Sequence, residues 1–424
     1  MIARAGLVAV HRAALDAVHA GRALARALEA ADPGPGPFVL LAAGKAACAM
    51  AEAARTTLGA RVVRGAVTTK DGHAREIAGG FEVREASHPL PDARSEAAGR
   101  GALALARTLS GSEELLVLIS GGASSLWCAP APGLALAEKR AATASLLRAS
   151  IAIGELNAVR KHLSSLKGGG LLRAAAGRRV RLYAISDVPG DALADIGSGP
   201  ASADPTRFRD ALAVLRARRG LEAELAPAVC ARLARGAAGE LEETLKPGDP
   251  LAARCDGQVV ASLDAALAAA VRAGEAQGLR VRSLGRALDA DVIALAPRLA
   301  AQVRRARADG IGLLVAGGEP TVTVRGAGRG GRAQELALRL ALALAGEPGW
   351  IALCAGTDGS DGPTDAAGAF ADPALIMRAR VHGLDLAAHL ARSDVHPLLE
   401  ATGDLLRTGP TETNVADLLL VRMR

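Results

Sequence analysis

The feature that most constrains this chain is a recurring pair: a short apolar run ending in Gly, Ser or Asp, then a longer stretch with helical spacing. FVLLAAG (38–44), EELLVLISGG (113–122), RRVRLYAISD (178–187), IGLLVAGG (311–318) and WIALCAG (350–356) are such runs. Runs of this length with small or polar ends read as strands buried on both faces. Helical spacing separates them over 94–109, 134–149 and 208–218, and a helix follows Lys45 to about Leu58. Residues 3–31 read as one amphipathic helix, stopped by PGPGP at 33–37. Strands alternating with helices predict doubly wound parallel sheets. In the second half, 258–274 predicts a strand and a helix and 279–285 a strand. IGLLVAGGEPTVTVRG predicts two strands around a Gly-Gly turn, and RAQELALRLALALAG a core helix.

A chain of 424 residues exceeds one ordinary core, so two domains are expected. The polar stretch 236–256, with KPGDP, is the natural connection, giving domains 1–235 and 236–424. The expected fold class is α/β: two Rossmann-like α/β/α domains with mostly parallel sheets and an interdomain cleft. Half the residues are hydrophobic but only 2% are aromatic, so Ala, Leu and Val must fill the cores.

The net charge of +7 admits an anionic ligand. Scattered Arg and one Tyr, two Trp and four Phe leave no platform for stacking bases, which argues against nucleic acid. Five cysteines stand apart with no CxxC pair, so no zinc site and a reducing, cytoplasmic compartment are expected. No run of 18 uncharged apolar residues suggests a membrane span, and the first residues lack the continuous apolar run of a signal peptide.

In open parallel sheets, ligands sit beyond the carboxyl ends of the strands. Four strand ends here are rich in Gly, hydroxyl and carboxylate groups. In LISGGASSL, Gly121 and Gly122 allow a tight turn, and Ser124 and Ser125 open a helical turn whose free amides can nest an anion. The same serines also read as an ordinary N-cap. A serine nucleophile is disfavoured, because GxSxG would need Gly where Leu126 stands. In NAVRKHLSSLKGGGL, Arg160, Lys161 and Lys167 beside Gly168, Gly169 and Gly170 suit phosphate, or a basic helix with a glycine cap. In AISDVPGD, Asp187 suits Mg2+ or proton acceptance, or an Asx-turn. The fourth comprises GGEPTVTVRGAGRGGRAQE and AGTDGSDGPTDAAGAF. Their Glu319, Asp358, Asp361 and Asp365 suit Mg2+–phosphate work.

Two cations stand against local preference. Lys45 follows the Gly44 turn and Arg332 opens a helix, where positive charge opposes the dipole. The P-loop pattern is absent, since Ala46 follows Gly44-Lys45. GxGxxG is formally present as Gly326, Gly328 and Gly331, with Asp358 downstream. It supports an NAD(P)-dependent reductase as the competing reading. The half-polar TVTV run before it and the long interval to Asp358 weigh against that reading.

Six segments in this order, LISGGASSL, NAVRKHLSSLKGGGL, ISDVPGD with GSGP and DPT, GGEPTVTVRG with GGRAQE, GTDGSDGPTDAAGA and TGPTETNVADL, resemble the glycerate 2-kinase family. Its members join an N-terminal glycerate kinase domain to a C-terminal MOFRL domain, and the likeness runs from about Gly44 to Asp417. The resemblance implies transfer of the γ-phosphoryl group of ATP to the 2-hydroxyl of D-glycerate, with Mg2+. It places the family's key Lys on Lys45 and its key Arg on Arg332, as substrate-binding and catalytic cations. Relatives labelled hydroxypyruvate reductase match the competing reading. Two departures stand out: Ala333 where Asn is frequent, and Glu412 where a small residue is usual. Gly121, Gly122, Ser124, Ser125, Lys167, Gly168–Gly170 and Glu319 are then expected to hold ATP, Asp187 and Asp358 to hold metal, and Asp358 also to contact substrate. A monomer or homodimer acting on small molecules is expected.

Overall fold

The structure, a computed structural model, describes every residue except Met1, Ser150, Arg219 and Arg424. It forms two compact units, Ala20–Val260 and Met1–His19 with Ala261–Arg424.

The Ala20–Val260 unit is built on β1 (Phe38–Ala43), β2 (Val62–Lys70), β3 (Glu82–Ala86), β4 (Glu114–Ile119), β5 (Val180–Ile185) and β6 (Cys255–Ala261). The sheet order is β3-β2-β1-β4-β5-β6. β1 pairs in parallel with both β2 and β4, and β3 and β5 extend the sheet in parallel on either side. The chain therefore winds outward in both directions from β1 and β4. That reversal opens a crevice at their carboxyl ends. β1 is buried along its whole length, as its unbroken apolar run requires.

On one face Val39, Leu41, Val117 and Ile119 pack with Ala98 and Ala102 of helix Ala93–Arg107. Small side chains let that helix lie close: a Cβ on Gly99 would come 2.7 Å from the Cys128 carbonyl carbon. The buried Trp127 donates its Nε1–H to Thr68 Oγ1 at 3.1 Å, giving its one polar atom a partner. Helices Leu136–Arg148, Ile153–His162, Phe208–Arg216 and Pro227–Ala237 close a separate core around Leu146, Val159, Phe208 and Leu233.

The other unit carries β7 (Val281–Ser283), β8 (Leu313–Gly318), β9 (Trp350–Gly356), β10 (Gly368–Ala371), β11 (Leu405–Leu406) and β12 (Asp417–Met423), in the order β11-β10-β9-β12-β8-β7. Helices Val292–Ala308 and Arg332–Ala343 pack Leu295, Leu299, Leu336 and Leu340 with Leu314, Cys354, Leu419 and Val421 of the sheet. Helix Ile2–Ala17 lies on helix Leu263–Ala276 and β12.

Four expectations change. The second sheet is not mostly parallel: among the described residues only β7–β8 pairs in parallel, and four pairings are antiparallel. The cause is β12, which inserts between β8 and β9 in the opposite direction. TVTV forms no strand; it is largely exposed, and Thr321 makes one isolated bridge to Asp291. The helix over 3–31 is two helices, Ile2–Ala17 and Ala20–Ala30. The compact units also divide differently from 1–235 and 236–424. β6 adds to the first sheet, which keeps 236–260 with it, and helix Ile2–Ala17 packs with the second unit. Among the described residues no helix is long and apolar enough to cross a membrane.

Candidate active site

The carboxyl ends of β1 and β4 meet directly. The Lys45 amide donates to the Gly121 carbonyl at 2.9 Å, and Ser120 Oγ accepts from the Ala46 amide at 3.1 Å. Gly44 has φ +133°, and a Cβ there would lie 2.1 Å from Ser120 Oγ. Only glycine permits the two turns to touch so closely. Gly122, at φ +88°, caps the turn Ala123–Leu126. Among the described residues no backbone carbonyl accepts from the amides of Gly121, Gly122 and Ser124. Successive unspent amides at a switch point form an anion nest.

Two side chains roof this nest. A Cβ on Gly122 would meet His88 Cδ2 at 3.0 Å, His88 Nε2 at 3.3 Å and Lys45 Cγ at 3.6 Å. Lys45 therefore stands where a cation can reach a nested anion, just before helix Ala47–Leu58 rather than in its first turn. His88 escaped the sequence reading; it lies between Ser87 and Pro89 in a loop after β3, with no periodicity to mark it. Asp187 is half-buried two residues beyond β5, whose Ala184 pairs with Ile119 of β4, so it occupies the neighbouring strand end.

The serine hydroxyls and the glycine triad make their contacts within the protein. Ser125 Oγ donates back to the Gly122 carbonyl at 3.0 Å, which tightens the turn. Ser124 Oγ bonds Ser198 Oγ, which donates to Asn157 Oδ1 at 3.2 Å. The amides of Gly168, Gly169 and Gly170 donate to the Ser198, Gly199 and Lys167 carbonyls, so none is left for phosphate. Close packing explains these glycines: a Cβ on Gly169 would sit 2.3 Å from Leu245 Cβ, and one on Gly170 2.1 Å from the Ser165 carbonyl oxygen. Lys167, 2% exposed, donates to the Ser124 carbonyl at 2.7 Å and the Gly197 carbonyl at 3.4 Å. It braces the nest from behind, and burial pushes its ammonium well below the ordinary lysine range. Lys161 is paired to Asp204 at 3.3 Å and Asp195 at 3.4 Å.

The second unit gathers its charges where β8 and β9 end and β12 begins. Arg332, the first residue of its helix, forks onto Asp417 through Nε at 2.7 Å and Nη2 at 3.1 Å, and reaches Glu319 through Nη1 at 2.9 Å. Asp417 faces Gly318 on one side and Gly356 on the other in the ladder. A Cβ on Gly356 would lie 3.4 Å from Asp417 Oδ1 and 3.5 Å from Asp358 Oδ1, so the two carboxylates share one small patch. Burial pushes the Asp417 acid up to about 7, against the opposing pull of Arg332. The Asp358 carboxylate accepts from the Ser360 amide and hydroxyl at 3.0 and 3.1 Å. Asp361 accepts from the Ala333 and Gln334 amides at 3.0 and 2.8 Å, so the helix dipole is answered by a buried carboxylate. Burial raises the Asp361 acid. Asp365 stands apart, paired with Arg407 at 2.7 Å. Asp417 was missed in sequence because its role depends on β12 running antiparallel; the visible signal was an acid opening the apolar run DLLLV.

The GxGxxG segment loses its context. No buried strand precedes it, and Gly328 is pressed against Arg392 and Asp394, with a Cβ position 2.5 Å from the Arg392 carbonyl oxygen. A dinucleotide fingerprint requires strand, turn and helix in succession. Among the described residues no group of three or more His, Cys, Asp or Glu side chains could enclose a metal. Mg2+ carried on phosphate oxygens needs only one or two carboxylates, which Asp187 or Asp358 could provide.

Residues 6–234 match a family model described as a domain of unknown function, DUF4147, and residues 312–417 match the MOFRL family. The chain is 38% identical to D-glycerate 2-kinase of Thermotoga maritima over 387 residues, covering 90% of this chain and 89% of that protein. It is 40% identical over 390 residues to an Agrobacterium vitis protein provisionally named hydroxypyruvate reductase, covering 90% and 86%. The crystal structure of glycerate kinase from Thermotoga maritima superposes with a TM-score of 0.87 at 34% identity, covering 99% of both chains.

Proposed function

Since the chain belongs to the glycerate 2-kinase family, we propose that it transfers the γ-phosphoryl group of ATP to the 2-hydroxyl of D-glycerate, releasing ADP and 2-phosphoglycerate. The observation that carries the residue assignment is the amide nest at the β1–β4 switch point, with Lys45 above it. Phosphoryl transfer asks mainly for positioning and for charge stabilisation of the transferring oxygens. Gly121, Gly122 and the Ser124 amide cradle phosphate oxygens, and Lys45 adds a cation. Ser125, Lys167 and Gly168–Gly170 hold that turn in shape. Asp187 orients the substrate hydroxyl and accepts its proton as the oxygen attacks the γ-phosphorus. Asp358, or Asp187 where it is not the proton acceptor, would hold Mg2+, which would supply positive charge against that of the phosphates. Arg332 grips the glycerate carboxylate or the phosphoryl oxygens, with Asp417 and Glu319 fixing its guanidinium plane. The cytoplasm, where ATP and Mg2+ are at hand, is the proposed compartment.

The reductase reading is not favoured, because its fingerprint has no strand to stand on. Purified protein with D-glycerate, ATP and Mg2+ is expected to release ADP, and 31P NMR of the product to show the 2-phosphate. With hydroxypyruvate and NADH the absorbance is expected to stay constant. NADH oxidation without ADP release would overturn the proposal.

A further inference from the structure

Behind the Ser120–Ser125 turn lies a group of cations that the reaction above leaves largely unexplained. Lys139, in helix Leu136–Arg148, is 3% exposed, and among the described residues its Nζ meets no hydrogen-bond partner. Arg160, half-buried, donates from Nη2 to the Ser124 carbonyl at 3.3 Å. Lys167 donates to the same oxygen at 2.7 Å. Two cations thus converge on one neutral acceptor, and a third close enough to repel Lys167 has none. Lys161 beside them is different, since Asp204 and Asp195 answer its charge.

Glu96 and Cys128 exert some opposing pull on Lys139, but neither bonds to it. Burying charges with so little direct compensation is costly, and such clusters are retained where a ligand supplies the missing sign. Burial lowers the Lys139 ammonium to about 8 and pushes Lys167 and Arg160 down as well. In a helical turn, amides point towards the N-terminus and carbonyls towards the C-terminus. Arg160 and Lys167 sit on the carbonyl side of Ala123–Leu126, with Lys139 close enough to repel Lys167, and the unspent amides of Gly121, Gly122 and Ser124 lie on the other. The two features therefore face opposite ways. Arg160, only partly buried, gives the cluster its approach to solvent.

We infer that Lys139, Arg160 and Lys167 form a second anion site, on the carbonyl side of this turn, for a small oxyanion of the phosphate class. A planar guanidinium and two ammonium groups suit the several oxygens of such an ion. Its binding would stiffen the turn that presents the nest.

The test is titration calorimetry of the full chain with inorganic phosphate, in chloride buffer of matched ionic strength. It is run alone and with a saturating non-hydrolysable ATP analogue, and needs no turnover. Phosphate is expected to bind in both cases, and Lys139→Met to weaken it by about tenfold or more. Circular dichroism checks that the variant is folded; if it is not, Arg160→Gln carries the same expectation. Displacement of phosphate by the analogue would assign the anion to the nucleotide cradle and overturn the inference. So would absence of phosphate-specific binding, or unchanged affinity in a folded variant.

Discussion

Replacing Arg332 with Met separates two tasks of its guanidinium. It neutralises Asp417 through a two-pronged contact at 2.7 and 3.1 Å, and it presents a cation at the strand ends. The Asp417 side chain is 6% exposed, so methionine leaves a buried carboxylate without its partner. Breaking such a pair costs about 3–5 kcal/mol while the remaining charge persists. Asp417 limits the loss by binding a proton. Its acid already stands at about 7, and removing Arg332 moves it further up. A carboxyl raised in the folded state destabilises above its folded pKa and is relieved as pH falls through it. Arg332→Met is therefore expected to cost on the order of 3 kcal/mol at pH 9 and little at pH 6. Asp417→Asn added to it removes the stranded charge and restores most of the stability at pH 9. Turnover stays about a hundredfold or more below wild type in both variants, because the cation is gone. Urea denaturation followed by circular dichroism at the two pH values, with ADP release as the activity assay, reads both. Recovered turnover in the double variant would mean that Arg332 only neutralises Asp417. An equal stability loss at pH 6 and 9 would refute the protonation argument.

Lys45→Ala is expected to lower turnover by about a hundredfold or more with the fold intact, and near wild-type ADP release would remove Lys45 from the site. Gly169→Ala forces a Cβ to 2.3 Å from Leu245; it should cost about 1–3 kcal/mol in denaturation while the KM for ATP holds. A KM rise without a stability loss would return the triad to phosphate binding. In phosphate-free buffer, the fall of Lys139 from 10.5 to about 8 means that wild type gains up to about 3 kcal/mol as pH rises from 8 to 10.5. Below pH 8 the buried ammonium is charged and that gain is absent, so Lys139→Met should look most favourable there. Parallel stability curves for the two proteins would contradict this.

Much of the first unit is legible in sequence because its signals are local. FVLLAA and ELLVLI are apolar on both faces, and only a central parallel strand buries both. Gly-Gly-Ala-Ser-Ser after such a strand declares a turn, and Arg332 at a helix start goes against the dipole. These are short-range preferences, and the chain states them outright.

What sequence alone could not decide was every property set by which segments become neighbours. The order β3-β2-β1-β4-β5-β6 places Gly44 against Ser120, 76 residues away, and so decides that β1 and β4 share the crevice. The direction of β12 decides that Asp417 meets Arg332, because only an antiparallel strand brings its first residue to the carboxyl ends of β8 and β9. Three consecutive glycines looked like a phosphate cradle, yet packing against Leu245 and Ser165 had already claimed them. A glycine declares that a side chain is excluded; only the tertiary structure reveals whether ligand or protein excludes it.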